Sequence, residues 1–304
     1  MLDVVLAPAR PLVVGTDVPG RVQLRQGGSA ASTARWLARL GARSTLVTAV
    51  GRDREGRALV DSLRRDGVRV LASRLAGVPT GRVGVVVDPD GERSFVADRG
   101  AADQLRPDRL RASWFAGLDG VHLPVYSLLG DPLGRAGQRA IALARAAGVP
   151  LSLDLSSVGP LMARGRRQAG ALVRDARPAL LFANAAEAGA LIGRGRPLED
   201  LLAFAPAALV KRGPAGAVVL VEQAGERHRF EVAARRIEAS DTTGAGDAFD
   251  AGALLVWASA PAAHRRRPGL LRRAALAGQR AARRQLGAAH APRSPSNGLP
   301  ERFW

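Results

Sequence analysis

The stretch Asp241-Thr242-Thr243-Gly244-Ala245-Gly246-Asp247-Ala248-Phe249 brings two glycines, an acid and the start of an apolar run together. The run from Ala248 to Ala258 is long enough for about three turns of helix, so the stretch reads as a loop that opens one. The first N–H groups of a helix have no internal partner and carry the positive end of its dipole. Glycines let backbone come close to a ligand, so Gly244, Ala245 and Gly246 form a candidate anion site. Asp247 then stands at the mouth of that site, where a carboxylate repels phosphate. A general base beside a transferring phosphoryl group accounts for an acid there. An acid in a first turn also suits the helix dipole, and Thr242 or Thr243 can serve as a plain N-cap. The Gly-Ala-Gly-Asp core alone leaves both readings open.

The elements that must hold this loop follow from periodicity. Short apolar strands are predicted at 121–123, 151–155, 180–182, 208–210 and 217–221, with helices near 133–147, 160–175, 185–192 and 198–203 between the earlier ones. Such alternation predicts an α/β fold, a mostly parallel sheet covered by helices on both faces. Lys211 to Gly216 reads as a hairpin between the last two strands, and helices over 247–260 and 268–286 close the fold. Nearer the start, Met1 to Ala7 and 45–50 read as strands, and 29–41 and 56–66 as helices ended by Gly41 and Gly67. Two extended regions, about 8–26 and 80–100, interrupt this body. The first holds short runs at Leu12–Val14 and Arg21–Leu24. In the second, strands at 82–87 and 94–97 are joined at Asp88-Pro89-Asp90-Gly91, which has turn chemistry. Together they are expected to form a small β lid over one domain spanning 1–304, with a loose tail at 292–304.

Bulk properties narrow the function classes. There is no cysteine among the 304 residues, so there is no thiol nucleophile and no disulfide or cysteine metal site. No apolar run reaches the length of a membrane span and no secretory leader is visible, which predicts a cytoplasmic location with no membrane partner. The net charge of +18 raises nucleic acid as a partner, but the arginines are spread along the chain and aromatics make up only 4%. That is too few for a base-stacking platform, and no nucleic-acid partner is expected. The four histidines, His122, His228, His264 and His290, show no metal spacing, and Trp36 and Trp257 read as core. Neither a Gly-x-x-x-x-Gly-Lys-Ser/Thr loop nor a dinucleotide fingerprint is present.

A second glycine-led helix start lies at Gly27-Gly28-Ser29-Ala30-Ala31-Ser32-Thr33-Ala34, followed by Leu37-Ala38-Arg39-Leu40-Gly41. Alone it is an ordinary loop-to-helix junction. With the nine-residue string at 241–249 it resembles the pair of signatures of the PfkB-type, ribokinase-like carbohydrate kinases. Gly51-Arg52-Asp53-Arg54-Glu55-Gly56, Asp88-Pro89-Asp90-Gly91-Glu92-Arg93 and Asn184-Ala185-Ala186-Glu187 agree, so the resemblance covers nearly the whole chain.

The resemblance implies a ribokinase-like fold and transfer of a phosphoryl group from ATP to the hydroxyl of a small sugar or nucleoside. A ribokinase-like activity is the first expectation; nucleoside or 2-keto-3-deoxygluconate kinases, and a weakly catalytic sugar- or nucleotide-binding paralogue, are the alternatives. Carried over, Asp247 is the catalytic base and Gly244, Ala245 and Gly246 the anion hole. Asp3, Gly27, Gly28 and Ser32 fall at the substrate, and Lys211, Gly213, Gly216 and Thr242 at the nucleotide. Asn184 and Glu187 correspond to the Asn-x-x-Glu element that organises Mg²⁺. That spacing before a helix is equally a capping box. Asp241 and Thr243 match residues that bind a monovalent cation, K⁺, in some members. Members often dimerise through the lid strands, which implies a homodimer.

Two departures sit at the sugar end. The family usually has asparagine where Ser32 stands, which puts the substrate's identity in question. It also carries a full first strand ending in the acid matched by Asp3, whereas only Met1 and Leu2 precede Asp3 here. An internal start or a sheet without its first strand is the expectation, and an upstream extension is expected to raise solubility or turnover.

Overall fold

The computed structural model describes residues 1–88, 93–235, 237 and 242–290. The chain divides into two compact units, one of Met1–Leu105, Ala239–Thr243 and Leu286–Trp304, the other of Arg106–Glu238 and Gly244–Gln285.

The first unit contains two sheets. Strands β1 (Leu2–Pro8), β2 (Gly20–Gln26), β5 (Thr80–Val87) and β6 (Arg93–Gly100) form one sheet in the order β2-β1-β5-β6, so the strands expected within 8–26 and 80–100 join the strand expected at the chain start. β1 runs antiparallel to β2 with Asp3 opposite Arg25, and parallel to β5. β5 and β6 pair antiparallel from Thr80↔Gly100 to Val87↔Arg93. The turn expected between them, from Pro89 on, lies outside the described residues, as does the tail from residue 292. Leu12–Val14 was expected to be extended in pairing but forms no strand, and its side chains are exposed. Asp3 sits near the start of β1 and not at a strand end, because Val4, Val5 and Leu6 continue to pair on both sides.

The second sheet of this unit is the parallel pair β3 (Thr45–Gly51) and β4 (Arg69–Leu75), with helices α1 (Ser29–Arg39) and α2 (Arg54–Arg65). Ala34, Leu46, Val50, Val60, Leu63, Val68 and Val70 form its core. Gly41 and Gly67, both with positive φ, end the two helices as expected. Asp53 caps α2 by accepting from Gly56 N at 2.7 Å and also accepts from Thr80 N and Oγ1, both at 2.6 Å. One carboxylate therefore fixes the helix start to the first residue of β5.

The second unit is a six-stranded sheet in the order β12-β11-β10-β9-β8-β7. β7 (Val121–Pro124), β8 (Leu151–Asp154), β9 (Leu180–Asn184) and β10 (Ala207–Lys211) are mutually parallel. β11 (Ala217–Gln223) and β12 (Glu226–Val232) continue antiparallel. Helices α3 (Leu133–Ala146), α4 (Val158–Met162), α5 (Arg166–Ala176), α6 (Ala185–Ile192), α7 (Ala245–Ala258) and, as far as Gln285, α8 (Pro268–His290) complete it. The inner strands read as unbroken apolar runs because they are buried on both faces, with Leu153, Leu181, Val210, Val218 and Leu220 fully buried. The helix expected over 160–175 is two helices, since Gly165 takes φ +83 between them. The helix expected at 198–203 is a 3-10 turn, Leu198–Ala203.

Candidate active site

The opening motif does start a helix. Gly244, the N-cap residue, adopts a left-handed φ of +74 and has no side chain with which to cap α7. Ala248 N donates to Gly244 O at 2.9 Å, closing the first turn of the helix. The N–H groups of Ala245 and Gly246 thus precede the helical ladder, at the positive end of the dipole. Asp247 is half-buried in this first turn, and Ala248 and Phe249 behind it enter the core.

Behind the helix start lies a buried ionic cluster. Lys211, the last residue of β10, donates from Nζ to Asp250 Oδ1 and Oδ2 at 3.0 and 3.1 Å and to Asp154 Oδ1 at 3.2 Å. Asp154 ends β8, and Asp250 lies on α7 three residues after Asp247, so three elements meet on one ammonium. The Lys211 side chain is 15% exposed, that of Asp154 5% and that of Asp250 1%. A Cβ built on Gly246 would stand 3.7 Å from Nζ, so the charge lies directly under the glycine of the anion loop. Burial lowers the proton affinity of Lys211, but Asp154, Asp250 and Glu187 outweigh it and raise the net value. Burial pushes the Asp250 carboxyl well up, with Asp154 and Asp247 adding to the rise and Lys211 opposing it.

Asn184 and Glu187 form a reciprocal capping box at the start of α6. Asn184 Oδ1 accepts from Glu187 N at 2.9 Å, and Glu187 accepts from Asn184 N and Nδ2, both at 2.8 Å. Burial raises the Glu187 carboxyl to about 7, Asp154 and Asp247 add to the rise, and Lys211 opposes it. The capping role is therefore realised in a carboxylate that shares the electrostatic field of Asp247. Each Glu187 oxygen accepts one bond and keeps further capacity. No group of three acidic or histidine side chains able to hold a metal occurs among the described residues.

Gly213 and Gly216 flank a 3-10 turn in the β10–β11 hairpin. Gly216 has φ +89, and a Cβ there would strike the Val232 carbonyl, so its glycine is fixed by packing as well as by conformation. Gly213 has φ +55 and open space around its Cβ direction. Thr242 and Thr243 are exposed, and Asp241 lies outside the described residues.

The expected sugar-end residues all belong to the first unit. Gly27 lies flat on Asp3: a Cβ there would fall on the Asp3 carboxylate. Gly28 takes φ +97 as the residue before α1, and Ser32 N donates to Gly28 O at 2.9 Å in the first turn. Burial pushes the Asp3 carboxyl up to about 6, against the pull of the Met1 ammonium and Arg25.

The structure thus gathers Gly246, Asp247, Glu187 and Lys211 in one unit and Asp3 with Gly27 in the other. Asp154 and Asp250 were not singled out from sequence. Their signal was available: each is an acid inside an otherwise apolar run, Leu151-Ser152-Leu153-Asp154-Leu155 and Ala248-Phe249-Asp250-Ala251. An acid so placed is buried only if it finds a partner.

Known proteins resemble this chain over most of its length. Residues 2–292 match the profile described as pfkB family carbohydrate kinase. Probable fructokinase-4 of Arabidopsis thaliana is 33% identical over 141 residues, an alignment that spans 45% of this chain but only 43% of that protein. The ATP-dependent ribose-1-phosphate kinase of Halopiger xanaduensis is 31% identical over 243 residues, covering 76% of this chain and 73% of the relative. Among solved structures, adenosine kinase from Sinorhizobium meliloti superposes with a TM-score of 0.76 at 27% identity, over 94% of this chain and 91% of that one.

Proposed function

This chain belongs to the pfkB family of carbohydrate kinases, and on that premise we propose that it transfers the γ-phosphoryl group of ATP to a hydroxyl of a small carbohydrate, with a ribokinase-like activity. The observation that carries this reading is the α7 start: a left-handed glycine, no side-chain cap, and an acid in the same turn. Phosphoryl transfer asks for positioning and charge stabilisation more than covalent help, and this helix start offers both.

In this mechanism the substrate hydroxyl oxygen attacks the γ-phosphorus while the bond to the β–γ bridging oxygen breaks. Asp247 receives the hydroxyl proton as the new P–O bond forms, and ADP leaves. Backbone N–H groups of the Gly244–Gly246 turn donate to the equatorial oxygens, where charge gathers in the loose transition state. Mg²⁺ bound with ATP would neutralise phosphate charge and would need few protein carboxylates, and Glu187, held by Asn184, is the residue that would face it. Gly213, Gly216 and Thr242 are the residues we assign to the nucleotide side; Lys211, matched there by its place in the motif, gives its ammonium to Asp154 and Asp250. Asp3, Gly27, Gly28 and Ser32 are assigned to the sugar. A carboxylate that accepts two hydroxyl bonds suits a polyol. We assign a K⁺ site, where one is used, to Asp241 and Thr243.

The relatives' names set the substrate panel: ribose, fructose, ribose 1-phosphate and adenosine, with 2-keto-3-deoxygluconate added. ADP release measured across that panel tests the proposal. Turnover with at least one member is expected. Binding without ADP release from any of them contradicts the enzyme and favours a binding paralogue.

A further inference from the structure

Of the 45 lysines and arginines in the chain, one alone is lysine. A sequence that uses arginine almost everywhere has kept an ammonium at the one position where three packed elements converge on a cation. We propose that Lys211 is a positioning residue of the phosphoryl-transfer site: its ammonium clamps Asp250 of α7 to Asp154 of β8 and so fixes the helix start that presents the anion loop and Asp247. This deepens the kinase reading above and rests on it.

The geometry suits an ammonium and not a guanidinium. Nζ makes its contacts within 3.0–3.2 Å of two carboxylates. On its other sides stand the Gly246 backbone and the Phe182 ring, whose centroid is 6.0 Å away. A compact charge with three rotatable donors fits such a space, whereas arginine brings a broad planar fork. The clamp is aimed at the right turn, because residues three apart on a helix are neighbours on its surface. Asp250 is therefore a handle on the turn that carries Asp247.

The other end of the clamp is fixed as well. Ser156 adopts φ +58, a left-handed conformation that side chains other than glycine rarely take. Its hydroxyl donates to Asp154 O at 3.0 Å and to Asp154 Oδ2 at 3.2 Å. Strain held beside a site is a common mark of a constrained functional group. Stability alone explains the cluster poorly, since a buried ion pair is often no better than well-packed apolar residues. The neighbouring acids Asp154, Asp250 and Glu187 keep Lys211 charged despite its burial.

Two variants test this: Lys211→Arg, and Lys211→Met combined with Asp250→Asn, which removes one of the two carboxylates the ammonium holds and leaves Asp154 its bond from Ser156. Folding is followed by circular dichroism and melting, turnover by ADP release, and the α7 start by amide hydrogen exchange. In the folded double variant kcat is expected to fall by about 30-fold or more while KM for the sugar stays within about threefold. Lys211→Arg is expected not to restore kcat. Amides of the first turn of α7 are expected to exchange about tenfold faster, with those of β9 unchanged. Wild-type kcat and unchanged exchange in the double variant overturn the proposal. A loss confined to KM for ATP overturns it too, and makes Lys211 a direct nucleotide contact. Should the wild type phosphorylate none of the panel, the kinase reading fails by itself, and amide exchange in the double variant still decides the clamp.

Discussion

Asp3 and Gly27 are the pair on which single-residue chemistry is most exposed to test. Gly27 leaves no volume for a methyl group beside the Asp3 carboxylate. Gly27→Ala is expected to lower stability by about 1–2 kcal/mol and to raise KM for the sugar by about tenfold, because the carboxylate must swing away. Melting and KM together check this; an unchanged KM would remove Asp3 from the sugar site. Asp3 also gives a pH signature. Its folded carboxyl is raised to about 6 from an ordinary 3.8, first of all by burial. Between those values the folded chain holds a proton that the unfolded chain has released. Its contribution to stability is therefore greatest in acid and is lost as pH rises from about 4 to 6. Asp3→Asn is expected to remove that slope, by on the order of 2–3 kcal/mol. Denaturant titrations at pH 4 and pH 7 measure it, and an equal slope in both proteins would contradict the burial of a charged Asp3.

At the scale of elements, α7 and α8 pack so closely that glycine is required at both faces. A Cβ on Gly252 would come 2.6 Å from Ala277 O, and one on Gly278 2.7 Å from Phe249 O. Both obstacles are backbone, which cannot rotate away. Gly252→Ala is expected to cost about 1–3 kcal/mol and to reduce turnover, since the displaced helix carries Asp247. A variant that melts like the wild type would show that the two helices have slack. The same elements show what was legible from sequence. The strands now placed at β7 to β11 were read correctly because each is mostly apolar, with its polar residues few or at its end, and both glycine-led helix starts were visible. β4 and β12 went unread: Arg69-Val70-Leu71-Ala72-Ser73-Arg74-Leu75 is bracketed by arginines, and Glu226 to Val232 is an exposed edge strand carrying charge. The Lys211 clamp was illegible because its partners lie 57 and 39 residues away, and only the fold brings them together. Lys211 was expected at the nucleotide from its place in a motif; the residues that hold its ammonium are not in that motif.

The whole molecule adds charge, surface and assembly. On the four-stranded sheet of the first unit Val22 is 68% exposed and Val96 74%, on one face of the two edge strands β2 and β6, and a homodimer through those strands would cover them. Val96→Glu with Val22→Glu is expected to give a monomer by light scattering while leaving stability within about 0.5 kcal/mol; an unchanged mass would reject these strands as the interface. The net charge of +18 carries a separate expectation. Any binding to DNA or RNA is expected to be weak and to vanish with salt, because nothing in the composition reads bases. The central claim is narrower than either, and rests on the acid at the start of α7. Its most direct test is the turnover of Asp247→Asn beside wild type with the best substrate of the panel. The account predicts a folded variant whose kcat is lower by about 10²–10⁴ with KM values little changed. A folded variant that turns over like the wild type would contradict it.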